Sequence, residues 1–281
     1  MVLGTLSSET RRDGSESMFG ALRAMGLGAV QLSLAPLCGP GYPDCLAAAD
    51  LKAIKDAADY NGVAIAALDG TFNMAHPDPA VRGEGVRMVR LLASACGPLG
   101  CPTITLCTGS KNAASMWEWH PDNASEGAWE DMAGTMGGLI GIAEASGIAL
   151  GIEPEPSNVV STPERARRLL DRFKSPALGI VMDAANLFQR GEAHPGNAAR
   201  VLTGAFGLLG GDVILAHCKD IREGPGLEYT SPGNGVVDFG LFVRLLKEHG
   251  YRGPLILHGS KDVAELTASV AHVTGVTRLA R

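Results

Sequence analysis

ALGIEPEPSN, residues 149–158, is the stretch from which the rest of the chain can be read. Its first five residues form an apolar, β-favouring run that ends abruptly on a carboxylate, Glu153. The pattern recurs in LGIVMD (178–183), which ends on Asp183, and in VILAH (213–217), which ends on His217. A strand buried on both faces reads as a near-continuous apolar run and has no internal use for a carboxylate or an imidazole. Three such groups, each closing its own strand, point to convergence on one site. Two carboxylates and an imidazole are oxygen and nitrogen ligands for a divalent cation. A metal site is therefore the first expectation, with Glu153, Asp183 and His217 as its ligands.

Working outward, other runs share this character: Val2–Leu6, Ala29–Leu34, Val63–Leu68, Thr103–Cys107 and Leu255–His258. With the three above they make eight predicted strands. Between them lie stretches with helical spacing: Met18–Met25, Cys45–Tyr60, Pro79–Ala95, Ala128–Ala145, Pro163–Phe173, Ala198–Leu209, Phe239–His249 and Asp262–Val273. Thr162 before Pro163 is a helix start, because proline's missing N–H costs nothing at the first helical position. Asp238 is a cap for Phe239–His249, and Gly250 is its stop. Eight strands alternating with eight helices is the count of a (β/α)8 TIM barrel, an α/β fold. An open doubly wound sheet is the runner-up. The barrel is preferred because it brings the C-terminal ends of consecutive strands onto one rim. With no internal repeat, low-complexity tract or linker, residues 1–281 read as a single domain.

Composition narrows the function classes. The net charge is −6, and a phosphate-backbone binder ordinarily carries a basic face, so nucleic acid is not an expected partner. No apolar run reaches the roughly 18–20 residues that cross a bilayer, so no membrane partner is expected. The segment MVLGTLSSETRRDG lacks the pattern of a signal peptide, and the six cysteines contain no C-x-x-C pair. These are read as reduced thiols of a cytoplasmic protein. Cys218 follows His217 directly, so alternation turns it away from the site, and it is not counted as a ligand.

Alternation also selects companions for the ligands. Glu155 shares a face with Glu153 across Pro154, and the choice lies between a site carboxylate and a solvated loop residue. Lys219 shares a face with His217. Asn186 lies three residues beyond Asp183, as a site residue or a helix cap. In TFNMAHPD (71–78), Asn73 and His76 are candidates for substrate contact. The long segment 109–127 carries Met116-Trp117-Glu118-Trp119-His120 and reads as a lid, with Trp119 and His120 placed to stack on a ring or, alternatively, to pin the loop.

Taken together, GIEPE, D-x-x-N and H-x-K-D, with TFNMAHPD and GNGVVD (233–238), resemble the sugar phosphate isomerase/epimerase superfamily of xylose isomerase-like TIM barrels. The resemblance spans essentially the whole chain. It implies one divalent ion (Mn2+, Mg2+, Co2+ or Zn2+) bound by Glu153, Asp183, His217 and the residue that ends LILHG. In ketose epimerases that last position is a glutamate that shares proton transfer with the first; here it is His258. The resemblance thus implies a small sugar substrate, enolisation through an enediolate, and Glu153, Glu155, His258 and Lys219 as the acids and bases. Isomerisation or epimerisation of a keto-sugar is the leading expectation. Elimination by a dehydratase or lyase on the same scaffold is the alternative, favoured by the lost glutamate. An endonuclease IV-like nuclease, which needs more histidines, and a non-catalytic sugar-binding module stand further back. Members are often homo-oligomers.

Overall fold

The computed structural model describes residues 1–10, 12, 14–38, 43 and 46–279. The main strands are β1 (Leu3–Leu6), β2 (Ala29–Leu32), β3 (Ala64–Asp69), β4 (Thr103–Cys107), β5 (Ala149–Glu153), β6 (Leu178–Asp183) and β7 (Val213–Cys218). After them come two short strands, β8 (Asp220–Ile221) and β9 (Tyr229–Thr230), and then β10 (Leu255–Leu257). Eight of the ten close a barrel in the order β1-β10-β7-β6-β5-β4-β3-β2, and β8 and β9 form a separate antiparallel pair. β1 pairs with β2 and β10, β10 with β7, β4 with β3 and β5, and β5 with β6, all parallel. The fold is a (β/α)8 TIM barrel, as the strand count requires.

The helices are α1 (Ser15–Ala24), α2 (Ala35–Cys38), α3 (Ala48–Asn61), α4 (Pro79–Leu99), α5 (Glu126–Ser146), α6 (Pro163–Phe173), α7 (Ala198–Leu209), α8 (Phe239–Glu248) and α9 (Val263–Leu279). Several starts are fixed as the sequence indicates. Thr162 accepts from Arg165 N ahead of Pro163, and Asp238 accepts from Leu241 N ahead of Phe239. α4 runs a turn beyond its expected end at Ala95, because the left-handed Gly100, not Gly97-Pro98, terminates it. Cys45, the expected start of the second predicted helix, lies outside the described residues. The β8–β9 pair carries too little periodicity to be read from sequence.

By internal contacts the chain falls into two compact units: residues 1–32, 56–66 and 181–281, and residues 33–55 and 67–180. In the first, β1 is flanked by β2 and β10, and β10 pairs with β7. Its core includes Phe19, Leu22, Phe206, Phe242 and Leu246. In the second, β4 pairs with β3 and β5 around Leu92, Ile104, Leu106, Trp129 and Met136. At about 25 cal/mol per Å², burying such side chains outweighs any single polar contact in holding the strands.

Candidate metal centre

In the first unit, three strand ends deliver one polar cluster. Asp183 is the last residue of β6, His217 is the penultimate residue of β7, and His258 follows β10 directly. The β10–β7 register pairs Ile256 with His217 and Leu257 with Cys218, and His258 N continues the ladder to Cys218 O at 3.1 Å. The site therefore inherits its spacing from the barrel.

The two oxygens of Asp183 have different tasks. Oδ1 accepts from Ala185 N (2.9 Å) and Asn186 N (3.3 Å), closing the turn after β6. Oδ2 faces His217 Nδ1 at 3.9 Å, His258 Nδ1 at 3.8 Å and Lys219 Nζ at 3.6 Å. The ligand atoms of Asp183, His217 and His258 all lie within 4.8 Å of one another. Burial by itself would raise the Asp183 carboxyl, but Lys219 and, when they carry a proton, the two imidazoles hold it well below the usual carboxylate range.

This geometry suits a cation. Asp183 Oδ2 and His258 Nδ1 are buried atoms without hydrogen-bond partners, and the 3.8 Å between them is too long for a hydrogen bond. Lys219 Nζ, 3.6 Å away, already gives this oxygen a positive neighbour, and a cation shared with the two imidazoles would give it a second. Two imidazole nitrogens and one carboxylate oxygen are a donor set for Zn2+, Mn2+ or Co2+.

Alternation brings Lys219 to the same oxygen as His217, as its spacing requires. Its ammonium lies 4.0 Å from the centre of the Tyr229 ring, delivered by β9, and the side chain is nearly buried. Cys218 is fully buried and burial pushes its thiol up, so it stays protonated and stands apart from the group.

Two residues of this unit escaped sequence reading. Gln31, mid-way along β2, places Oε1 2.8 Å from His217 Nε2. Glu9, just after β1, accepts from Gly259 N (2.6 Å) and Ser260 N (3.3 Å), clamping the backbone that follows His258. Burial raises the Glu9 carboxyl, against the opposing pull of His258 and those two N–H groups. The bend it grips needs glycine: Gly259 has φ +94°, and a Cβ there would meet Thr230 O at 2.8 Å. Gln31 is a lone amide within the apolar run AVQL, but it does not end the run, so the criterion applied to β5, β6 and β7 passes over it.

The second unit holds the other expected residues. Glu153 ends β5 and is buried. Glu155 is also buried, with Oε1 accepting from Ser157 N at 3.4 Å, so it is not a solvated loop carboxylate. Asn73 is committed to its own unit: Oδ1 accepts from Ala75 N (3.2 Å) and Ser110 N (2.9 Å), and Nδ2 donates to Ser110 O (2.8 Å) and Asn112 O (3.5 Å). His76 is similarly engaged, accepting from Asp78 N at 3.0 Å and reaching Ala113 O at 3.4 Å. The long loop is fastened by amides. Asn158 bonds Gly109 N (2.6 Å) and Met116 O (2.8 Å), and Asn123 bonds Lys111 N (2.7 Å) and Ser157 O (2.9 Å). Trp117 and Trp119 each remain 55% exposed, so polar contacts, not the indoles, hold the loop. His120 caps a short 3-10 turn by accepting from Asp122 N at 3.2 Å. Asn186 returns to the first unit, buried in the turn that Asp183 closes.

A closed parallel barrel with acid and imidazole side chains gathered at its strand ends places the chain among the TIM barrels. The model of the family "Xylose isomerase-like TIM barrel" matches residues 19–273, and the chain belongs to that family. Among curated proteins it is 25% identical over 156 residues to an inosose dehydratase of Clostridium perfringens, a match that covers 50% of each chain. The chain thus spans about half the length of the curated relatives it matches. Its fold is shared with a D-tagatose 3-epimerase-like protein (TM-score 0.78, 19% identity, 100% and 98% of the two chains). It is also shared with a 3-keto-D-glucoside 4-epimerase from E. coli (TM-score 0.75, 17% identity, 99% of each). A third is an IolI protein with a bound zinc atom (TM-score 0.72, 16% identity, 100% and 98%). No helix among the described residues is long and apolar enough to cross a membrane.

Proposed function

We propose that this barrel is a divalent-metal-dependent isomerase or epimerase acting on a small ketose or keto-sugar through an enediolate. The observation that supports the reading is the meeting of the ligand atoms of Asp183, His217 and His258 within 4.8 Å of one another in the first unit. Asp183 Oδ2, His217 Nδ1 and His258 Nδ1 would hold the ion, and Glu153, at the end of β5, is proposed as a further ligand. Such an ion would supply Lewis acidity, making a proton α to a substrate carbonyl easier to remove.

The chain's own groups do the rest. Glu153 and Glu155, both buried, are the proposed proton carriers, since a carboxylate screened from water is a better general base than a solvated one. Lys219, held as an ammonium by Asp183 and the Tyr229 ring, donates a hydrogen bond to a substrate oxygen that gains charge. His258 stands where ketose epimerases have a second glutamate, and it is proposed as an acid or base of the reaction as well as a ligand. Exposed Trp119 is the proposed stacking face for the sugar, with His120 beside it. Asn73 and His76 bond to the backbone of that loop, and Asn186 lies in the turn at Asp183. We propose residues 1–281 as one barrel domain, cytoplasmic, with no nucleic-acid partner, and homo-oligomeric as its relatives often are.

A second reading is favoured by His258: without a second glutamate, proton removal without stereospecific return leads to loss of a β-leaving group, a dehydratase or lyase outcome. Incubation with a panel of keto-sugars in D2O separates the two. Deuterium incorporation with the carbon skeleton intact supports the isomerase, and an enone product supports the lyase. Neither product, with metal bound, contradicts both.

A further inference from the structure

We propose that Gln31 is a positioning residue that keeps His217 protonated on Nε2, so that the Nδ1 lone pair stays turned toward Asp183. The proposal rests on the metal-dependent reading only for its consequence, not for its geometry.

The chain of reasoning starts at β2. All four of its residues, AVQL, are buried, and Gln31 is 6% exposed. An amide sealed in an apolar strand is costly without a partner. The partner is His217, 1% exposed, with Gln31 Oε1 2.8 Å from its Nε2. An amide oxygen only accepts, so Nε2 carries the proton. A neutral imidazole has one donor and one acceptor, which leaves the lone pair on Nδ1.

The other tautomer would change what the cluster is. A proton on Nδ1 would point at Asp183 Oδ2, 3.9 Å away, and the pair could relax into an ordinary buried Asp–His contact. With Nε2 protonated, a lone pair and a carboxylate oxygen face each other, and His258 Nδ1 closes the group from 3.8 Å on the other side. Gln31 therefore selects a ligand in place of a donor. A strand that contributes no ligand itself sets the ligand quality of β7. Outer partners of this kind typically govern about 10–100-fold in metal affinity.

The test uses the whole protein with 15N-labelled histidine, stripped of metal, with His217→Gln to assign the His217 signals. Wild type should show His217 protonated at Nε2. Gln31→Met, which keeps length and removes the acceptor, should lose that single tautomer and weaken Zn2+ binding about 10–100-fold. Gln31→Glu, which restores an acceptor oxygen, should regain both the tautomer and the affinity; a merely structural role would not be rescued this way. His217 protonated at Nδ1 in wild type, or Gln31→Met with unchanged tautomer and unchanged Zn2+ affinity, overturns the proposal. If wild type binds no Zn2+ yet Gln31→Met still scrambles the tautomer, Gln31 keeps its role and the metal reading fails.

Discussion

His217 and His258 meet edge to face, with ring centroids 5.8 Å apart and planes at 85°. Stacked rings would bury each other's nitrogens. This arrangement instead turns both Nδ1 atoms toward one oxygen of Asp183. Perpendicular imidazoles sharing a carboxylate oxygen form a converging donor set.

Glu153→Gln keeps the shape of the β5 terminus and removes its charge. Metal content and turnover should fall together, by at least about tenfold, a loss of 1.4 kcal/mol or more in binding. Elemental analysis and steady-state rates on the same preparation check this, and unchanged values in both remove Glu153 from the site.

Asp220 is the acid of the H-x-K-D stretch and has a structural task. Its carboxylate accepts from Ile221 N (2.9 Å), Gly233 N (3.0 Å), Gly235 N (2.9 Å) and Val237 N (3.0 Å), drawing the 233–238 segment in. Asp220→Asn puts an NH2 where two of those N–H groups point. The expected cost is about 2–4 kcal/mol in urea unfolding, since bonds to a charged acceptor contribute about 1.5–3 kcal/mol each. A loss below about 0.5 kcal/mol, the scale of ordinary surface substitutions, would contradict the assignment.

Asn73 separates scaffold from substrate contact. As a residue that spends its amide on Ser110, Asn112 and Ala75, it should destabilise the fold by about 2–4 kcal/mol on replacement by Ala, because buried partners lose their bonds. Trypsin should also cut faster at Lys111 in the loop it supports. A raised KM with native stability and native proteolysis would instead make it a substrate residue.

Acid titration should report Asp183. Its folded-state value is lowered from 3.8, so its ionised form stabilises the fold above that pH. That contribution is lost as pH falls through the lowered folded value. In metal-free protein, the stability gap between wild type and Asp183→Asn should be constant at mildly acidic pH and shrink below the usual carboxylate range. A gap that stays unchanged as pH falls from about 4 to about 2 would contradict this account.

The barrel was legible because long apolar runs alternating with helical segments admit few other folds, and caps such as Thr162 and Asp238 mark boundaries locally. Asp183 and His217 were legible for a related reason: a polar residue ending a buried run has little purpose except a site. His258 was found only through resemblance, since LILHG alone gives no ligand signal. Gln31 and Glu9 were missed because their meaning lies in partners more than 180 positions away, His217 and Gly259. Asn73 and His76 sit in a loop that looked exposed, and sequence cannot show that Ser110 and Ala113 return to occupy them. Glu155 was left open because a strand's alternation stops carrying information once Pro154 breaks the ladder.

The most direct measurement is the metal stoichiometry of the purified chain, alongside Asp183→Ala and His258→Ala. The account predicts one divalent ion per wild-type chain and loss of most of it in each variant while the far-UV spectrum stays native. A wild-type chain that takes up no ion from Zn2+-, Mn2+- or Co2+-containing buffer, or variants that retain a full equivalent, would contradict it.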